Sequence, residues 1–512
     1  MNKKQRFQQR RNLAIVGAVI TAFALSACSS PIDASETGQS DNAAADTIIV
    51  ANAEPATAAY WDPSASFGLV DEQVASLVFD TLLKMDSDGA LQPNIATEWE
   101  RVSDTEMTLT IRDDVKFHDG TPLTADDVVA SLTRMMTNDG TLAKAILLTS
   151  GTVTAEGNVV TIKTDAPFGP LEKSLAVVSI VSKADAENPD NFKEGANGSG
   201  PYSFVSYSGD DITLEANEDY WDGAPKIGTI VLRYIADADA RQNAVIAGQV
   251  DIATRVGPNY VEEVKAEDGF NVETVSPPSQ IVTVYQHNGV LADSKIRQAL
   301  AYAIDRESIA KNLMHGVNKV GFNALPTTVE GYEESDEKFA FDPEKAKELL
   351  AEAGASDLTL TMATSTLVPN QIEIDQAIAA NLGDVGITVD VTQLEVGEFR
   401  TSYNQYDLSM NTLASFNNDA SFILATYAGA TGEAVFHLKD GTVDELVAAQ
   451  NATVGDARPA AINDAASYLW DNQMALSLSD ETWSTIVNDR VKGYERAPLV
   501  GERLLADAEL SK

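Results

Sequence analysis

The chain has 512 residues, with 36 Lys and Arg against 77 Asp and Glu, and its formal net charge is −41 at pH 7. This acidic balance argues against a nucleic-acid partner, because phosphate binding needs a basic face. The length predicts two or three domains, and a content of 44% hydrophobic residues is typical of a globular protein.

The N-terminus has the pattern of an export signal, residues 1–27. Basic residues precede the uncharged run Leu13–Leu25, which would span roughly 20 Å as a helix, short of the ~30 Å core of a bilayer. The stretch Leu25-Ser26-Ala27-Cys28 resembles the bacterial lipobox, and this resemblance implies cleavage before Cys28 and lipidation of its thiol. Cys28 is the single cysteine of the sequence. The alternative to lipidation is that it is an incidental or buried thiol.

The segment that follows, residues 28–46, is small, polar and acidic, and it predicts a flexible tether. No later run approaches the ~20 apolar residues that a membrane helix needs. We therefore expect a protein outside the cytoplasm that is held at the membrane by its lipid alone.

The body begins with a predicted strand, "TIIVANA" (47–53), and the apolar spacing of residues 71–86 predicts a helix. Alternation in "EMTLTIRDDVKF" (106–117) predicts a second strand. Thr124, with Asp127 three positions later, is a candidate N-cap for the next helix.

Three further helices are predicted in the second half of the chain. The first lies in the stretch 236–252, where the helix is predicted to end at Gly248 and a short strand to follow, and the other two cover 294–316 and 341–354. The stretches "LTLTMAT", "IDQAIAANLGDVG" and "ITVDVTQL" follow as strand, helix and strand, which indicates a parallel βαβ unit. The predicted fold class is therefore α/β.

Catalytic motifs are missing from the sequence. It has no G-x-S-x-G, no H-E-x-x-H and no glycine-rich phosphate loop. His118 and Asp119 form a predicted turn, since no second His or Cys stands at metal-ligand spacing. We expect neither an enzyme nor a bound cofactor.

Several stretches together resemble the family 5 extracellular solute-binding proteins of bacterial ABC importers, the peptide and nickel group. They occur in family order: "LVFDTLLKMDSDGALQPNIATEWE", "LTIRDDVKFHDGTPLTADDVVASLTR", "GSGPYSF", "ANEDYWDGAPKIGTIVLRYI", "AGQVDIA", "DSKIRQALAYAIDRESI" and "FDPEKAKELLAEAG". The resemblance covers roughly residues 47–500.

The resemblance implies a periplasmic-binding-protein-like fold, with two α/β lobes and an extra family-specific domain (cluster C type). The implied division is domain I at 47–85, 176–275 and 490–512, domain II at 86–175, and domain III at 276–489. A ligand would lie between domains I and III, with hinge closure around it. The closed form would be delivered to a membrane permease and its ATPase, and we expect a monomer.

The stretch "YDLSMNTLASFNNDASFIL" (406–424) bears on the ligand. In the family's peptide binders an aspartate here grips the α-amino group of the peptide, and Phe416 stands at its position. The resemblance implies that this anchor is missing, unless Asp419 or the Asn417-Asn418 pair replaces it. The predicted ligand is an oligopeptide or dipeptide.

A nickel-chelate or another small solute is the alternative ligand. Asn411 and Asp419 also fit the nickel-binder pattern, and His437 is a candidate metal ligand, although a lone histidine is more often ordinary surface or core. A surface sensor or an enzyme on this fold is a more distant alternative.

Tyr60 and Trp61 lie in the opening turn, where they either stack on the ligand or pack the turn. We also expect Phe416→Ala or Asp419→Ala to weaken ligand binding and to leave the fold intact.

Overall fold

The structure is a computed structural model that describes residues 46–55, 62–64, 69–86, 89–137, 150–265, 268–334, 338–355, 357–494 and 503–511. The predicted export signal, Cys28, Tyr60 and Trp61 lie outside these described residues. Among the helices of the described ranges, none has both the length and the apolar character needed to cross a membrane.

One sheet has seven strands and is assembled from distant parts of the chain. In spatial order its strands are Phe270–Val275, Trp483–Asn488, Ile252–Ala253, Thr47–Asn52, Thr229–Tyr234, Asp211–Ala216 and Tyr202–Ser208. The strand Thr47–Asn52 runs parallel to both of its neighbours, and the remaining pairs are antiparallel. Its apolar face is fully buried at Ile48 and Val50.

A second sheet has five strands, in the order Thr388–Gln393, Thr359–Thr364, Leu408–Ala414, Ser279–Tyr285 and Ala475–Asp480. The first three run parallel, which confirms the predicted parallel βαβ unit. The last two strands are buried along their whole length.

A third sheet has four antiparallel strands, Ala96–Ser103, Glu106–Ile111, Val159–Thr164 and Gly151–Glu156. Two short hairpins pair Leu83–Met85 with Leu91–Pro93 and Val491–Lys492 with Glu509–Leu510. We call the regions around the three sheets the seven-, five- and four-stranded domains.

Helices fill the connections between the strands. The α-helices are Leu69–Val78, Ala125–Thr137, Leu171–Leu175, Lys183–Glu187, Ala238–Ile246, Pro258–Val264, Ser294–Ala303, Arg306–Asn312, Pro343–Glu352, Gln371–Asp384, Val396–Ser402, Ala420–Ala425, Gly429–Phe436, Gly441–Ala452 and Arg458–Asp471. The 3-10 turns are Pro189–Glu194, Gly289–Ala292, Tyr403–Gln405, Gly455–Ala457 and Arg503–Ala506.

The predicted helix over 71–86 is wrong in its second half. The helix ends at Val78, because the Val78 carbonyl accepts a hydrogen bond from Gly200 N at 2.9 Å. Leu82 and Leu83 are fully buried, as their spacing suggested, but they pack in the core of the four-stranded domain. The predicted helix over 294–316 is also broken, since Asp305 caps a new helix by accepting from Ser308 N at 2.9 Å.

Two short crossings join the seven- and five-stranded domains. One runs from Val275 to Ser279, and the other runs from Asp480 to Trp483. Because Trp483–Asn488 lies in the seven-stranded sheet, we draw the end of domain III at the second crossing and not at residue 489. The rest of the predicted domain division stays a prediction.

Candidate functional site

The candidate site is the cleft between the seven- and five-stranded sheets. On the seven-stranded side, the strands Thr47–Asn52 and Ile252–Ala253 end near the crossings. On the five-stranded side, Thr359–Thr364 and Leu408–Ala414 end at the same place, since Ala414 pairs with Ser279. The carboxyl ends of parallel strands therefore face each other across the hinge, which is where open α/β sheets bind ligands.

Arg255 forms part of the wall on the seven-stranded side. Its backbone has φ 49°, a left-handed conformation that is uncommon for a residue with a side chain. The buried Arg241 holds this turn, because its guanidinium donates to the carbonyls of Thr254 at 3.0 Å and Arg255 at 2.8 Å, and to that of Ile235 at 2.7 Å. Burial lowers the pKa of Arg241 to about 10, so it stays charged at neutral pH. A strained residue fixed in a cleft is a common sign of function.

Ion pairs connect the two sides of the cleft. Arg255 lies 3.3 Å from the Glu54 carboxylate of its own domain and 2.6 Å from Glu481 in the second crossing. Glu481 also accepts from the Ser279 hydroxyl of the first crossing at 2.7 Å, so it ties the crossings together. Arg400, on the five-stranded side, lies 3.3 Å from Glu54.

A small cavity lies beside the crossings and is lined from both sides by Arg255, Met314 and Trp483 among others. Its volume is about 40 Å³. This is room for a few water molecules at most, so the cavity is too small for a peptide.

Asp419 is buried, and its carboxylate is fully engaged within the fold. Both of its oxygens accept from Arg458, at 2.8 and 2.7 Å, and one also accepts from Ser421 N at 2.8 Å as the N-cap of Ala420–Ala425. A charge this well paired is not available to grip a ligand ammonium. The expectation that Asp419→Ala leaves the fold intact therefore does not fit the structure.

The loop Ser415–Asp419 follows the strand Leu408–Ala414 and lies beside the first crossing, where Ser415 N donates to the Pro278 carbonyl at 2.8 Å. Phe416 is 8% exposed and packs its ring against Phe422, with ring centroids 5.3 Å apart. Asn417 is buried, and its Oδ1 accepts from Asp419 N at 3.2 Å.

Asn418 stands out within this loop. Its backbone is left-handed, with φ 52°. Its Oδ1 is buried and accepts no hydrogen bond from any residue in the described ranges. The loop thus presents one buried acceptor without a donor.

The other two residues predicted on this side lie away from the loop. Asn411 is half-buried in mid-strand and donates to Ser409 Oγ at 3.3 Å. His437 lies beside Asn288, at 2.9 Å, next to the end of the sheet where Tyr285 pairs with Leu408. Since Ala414 is six residues along the strand from Leu408, roughly 20 Å separates these two ends of the sheet.

The structure shows site residues that sequence reasoning missed, namely Glu54, Arg255, Arg400 and Arg458. Arg255 was reachable in principle, because it follows the strand end in "AGQVDIA". Arg400 and Arg458 carry no local signal, since each acts through a carboxylate distant in sequence.

Two α/β lobes, joined by two adjacent crossings and facing each other with open strand ends, define a two-lobed binding protein. The family described as bacterial extracellular solute-binding proteins, family 5 middle, matches residues 90–434, and the chain belongs to this family. The family works outside the cytoplasm with ABC permeases, and it consists of solute-binding proteins and not of enzymes. The predicted fold and family are both confirmed.

Relatives in this family are named for different ligands. The dipeptide-binding protein of Escherichia coli (strain K12) is 27% identical over 452 residues, covering 80% of this chain and 84% of its own. Heme-binding protein A of Haemophilus influenzae is 26% identical over 453 residues, covering 80% and 82%. The structure of NikZ from Campylobacter jejuni in complex with Ni(L-His) matches with a TM-score of 0.82 at 22% identity, covering 91% and 99%.

Proposed function

We propose that this protein captures an oligopeptide or dipeptide between its two lobes and delivers it to an ABC permease and its ATPase. It does so as a monomer, outside the cytoplasm, and it is anchored by a lipid on Cys28 after removal of residues 1–27. The observation that carries the proposal is the cleft itself. Two sheets present their carboxyl strand ends to each other across paired crossings, in a chain that belongs to a solute-binding family.

A peptide is favoured over a nickel-chelate by the placement of the candidate metal ligand. His437 lies at the far end of the five-stranded sheet from Phe416. In the described part of the chain, no group of three or more His, Cys, Asp or Glu residues is arranged to hold a metal ion. His437 is therefore not placed to ligate a chelate held at the Phe416 loop.

The loop also supports a peptide through its unfilled acceptor. Asn418 Oδ1 is buried and can receive an N–H from a peptide, which supplies one at nearly every residue. Phe416 offers an apolar ring beside it. We retain Tyr60, Trp61, Asn411, Asn417 and Phe416 as proposed ligand contacts, and we assign Asp419 to the support of the loop.

Thermal unfolding of the protein against a ligand panel tests this proposal. The panel holds di- to nonapeptides, the same peptides with acetylated amino groups, and nickel with histidine. A ligand at about 100 times its dissociation constant adds about 2.7 kcal/mol of stability, which is a readable shift. Stabilisation by peptides supports the proposal, whereas stabilisation by nickel and histidine alone refutes it.

A further inference from the structure

The four-stranded domain reaches the five-stranded domain directly behind the candidate loop. Gly169 N donates to the carbonyl of Asn451 at 2.7 Å. Lys173 Nζ lies 2.6 Å from the carbonyl of Gly89 and 3.4 Å from the Glu330 carboxylate of the other domain. These contacts join two domains that are far apart in sequence.

Glycine makes this approach possible at two points. A Cβ atom at Gly169 would fall well inside van der Waals contact with the Thr453 carbonyl and the Arg458 side chain. A Cβ atom at Gly89 would collide with the side-chain amide of Asn418. We call this set, Gly89, Gly169, Asn418, Thr453 and Arg458, the closure contact.

The closure contact touches the groups that shape the candidate loop. Arg458 is the guanidinium that holds Asp419, and Asn418 carries the unfilled acceptor. Any movement of the four-stranded domain away from this surface therefore uncovers the back of the loop.

The four-stranded domain is fixed to the seven-stranded domain. His118 Nε2 lies 3.0 Å from the Gly200 carbonyl, and Lys183 N donates to Asp127 at 2.8 Å. Arg112 stacks over Trp221 at 3.5 Å. The five-stranded domain is joined in chain to the seven-stranded domain by the two crossings, so hinge opening there would separate the closure contact.

We propose that Gly169 is a positioning residue for closure: it lets the four-stranded domain seat on Arg458 and so couples lobe closing to the candidate loop. This inference rests on the proposed function, in which a ligand is held between the lobes. The four-stranded domain is then part of the closing surface. A side chain at residue 169 obstructs the closed arrangement and leaves the open one untouched.

Gly169→Ala is a clean perturbation because the φ of Gly169 lies outside the left-handed region, so an alanine strains no backbone there. Gly441→Ala is the matched control in the five-stranded domain. Its Cβ would meet nothing within 4 Å, and its φ is also ordinary.

The first readout is the dissociation rate of the peptide that most stabilises the wild-type protein. We expect Gly169→Ala to speed dissociation by roughly tenfold, within the range of typical coupling between sites, and to lower the melting temperature of the ligand-bound protein more than that of the ligand-free protein. Gly441→Ala should not change the dissociation rate. A dissociation rate of Gly169→Ala equal to that of the wild-type protein overturns the inference, and so does a ligand-free melting temperature that falls as far as the ligand-bound one, because the substitution would then weaken both arrangements alike.

The second readout needs no ligand. Fluorophores on Val102→Cys and Phe341→Cys, both exposed, report the distance between the two domains when Cys28→Ser removes the native thiol. Gly169→Ala should shift the distance distribution to longer values, and an unchanged distribution overturns the inference. If the wild-type protein binds no ligand of the panel but Gly169→Ala still shifts the distance distribution, the proposed function is refuted and the inference stands.

Discussion

Replacing Asp419 tests the assignment of this residue to the fold. The carboxylate is 1% exposed and holds the two Nη atoms of Arg458 together with Ser421 N. In Asp419→Ala the Arg458 guanidinium is left buried without a counter-charge, and the helix Ala420–Ala425 loses its N-cap. Both losses act on the five-stranded domain.

The magnitude follows from these two terms. Removing one partner of a buried ion pair costs about 3–5 kcal/mol, and losing an N-cap costs about 1 kcal/mol. We therefore expect Asp419→Ala to lower the free energy of unfolding by about 4–6 kcal/mol. In the double variant Asp419→Ala/Arg458→Met no charge is stranded, and most of this loss should be recovered.

Urea unfolding measures the free energy of unfolding, and hydrogen exchange of the backbone amides in the strand Leu408–Ala414 serves as the local probe. Asp342→Ala is the matched control, since Asp342 caps a helix of the same domain by accepting from Lys345 N at 2.9 Å and should cost about 1 kcal/mol. The reasoning is refuted if Asp419→Ala costs no more than Asp342→Ala. A double variant as unstable as the single variant contradicts it as well.

Three further predictions concern charge and the cleft. Burial raises the pKa of Asp375 from 3.8 to about 7, so the folded protein holds a proton that the unfolded chain releases, and this group makes stability fall as pH rises from about 4 to about 7. Asp375→Asn should reduce the slope of the free energy of unfolding against pH in urea unfolding, and a slope equal to that of the wild-type protein contradicts the assignment. Arg400→Gln removes the ion pair with Glu54 across the cleft, so peptide affinity, measured by titration calorimetry, should fall a few-fold and depend less on salt concentration. An unchanged salt dependence of the affinity excludes the pair from closure. Phe416→Leu keeps an apolar side chain, so the free energy of unfolding should change by less than about 1.5 kcal/mol, whereas peptide affinity should fall roughly tenfold because the ring is lost. An unchanged affinity shows that the ring does not contact the ligand.

Local signals predicted the elements whose ends are set by their own residues. Asp127 accepts from both the backbone N–H and the hydroxyl of Thr124 at 2.8 Å, as the capping pattern predicted. Asp342 caps Pro343–Glu352, and Gly354 has the left-handed φ of 67° expected after a helix end. These features depend on neighbours within a few positions, which a sequence displays directly.

Features set by distant residues could not be predicted in this way. The helix that begins at Leu69 ends where Gly200 N donates a hydrogen bond to the Val78 carbonyl, and Gly200 is more than 100 positions away. The sequence pattern likewise predicted Asp419 as a ligand anchor, whereas in the structure its carboxylate accepts from Arg458, which lies 39 positions away in the chain. Sequence alone gives the acidic residue but not the charge that neutralises it.

The strand Trp483–Asn488 has a consequence for how the protein matures. It lies between Phe270–Val275 and Ile252–Ala253, so the seven-stranded sheet cannot be completed until the last tenth of the chain is present. In the proposed exported protein the chain emerges from the membrane in the same order, so roughly 200 further residues must appear after Phe270–Val275 before its partner strand is present. During that interval two strand edges lack their partner and are open to mispairing. The four-stranded sheet has all its strands within residues 96–164 and can form at once. We therefore expect the lobe that contains the seven-stranded sheet to be the last to become resistant to proteolysis.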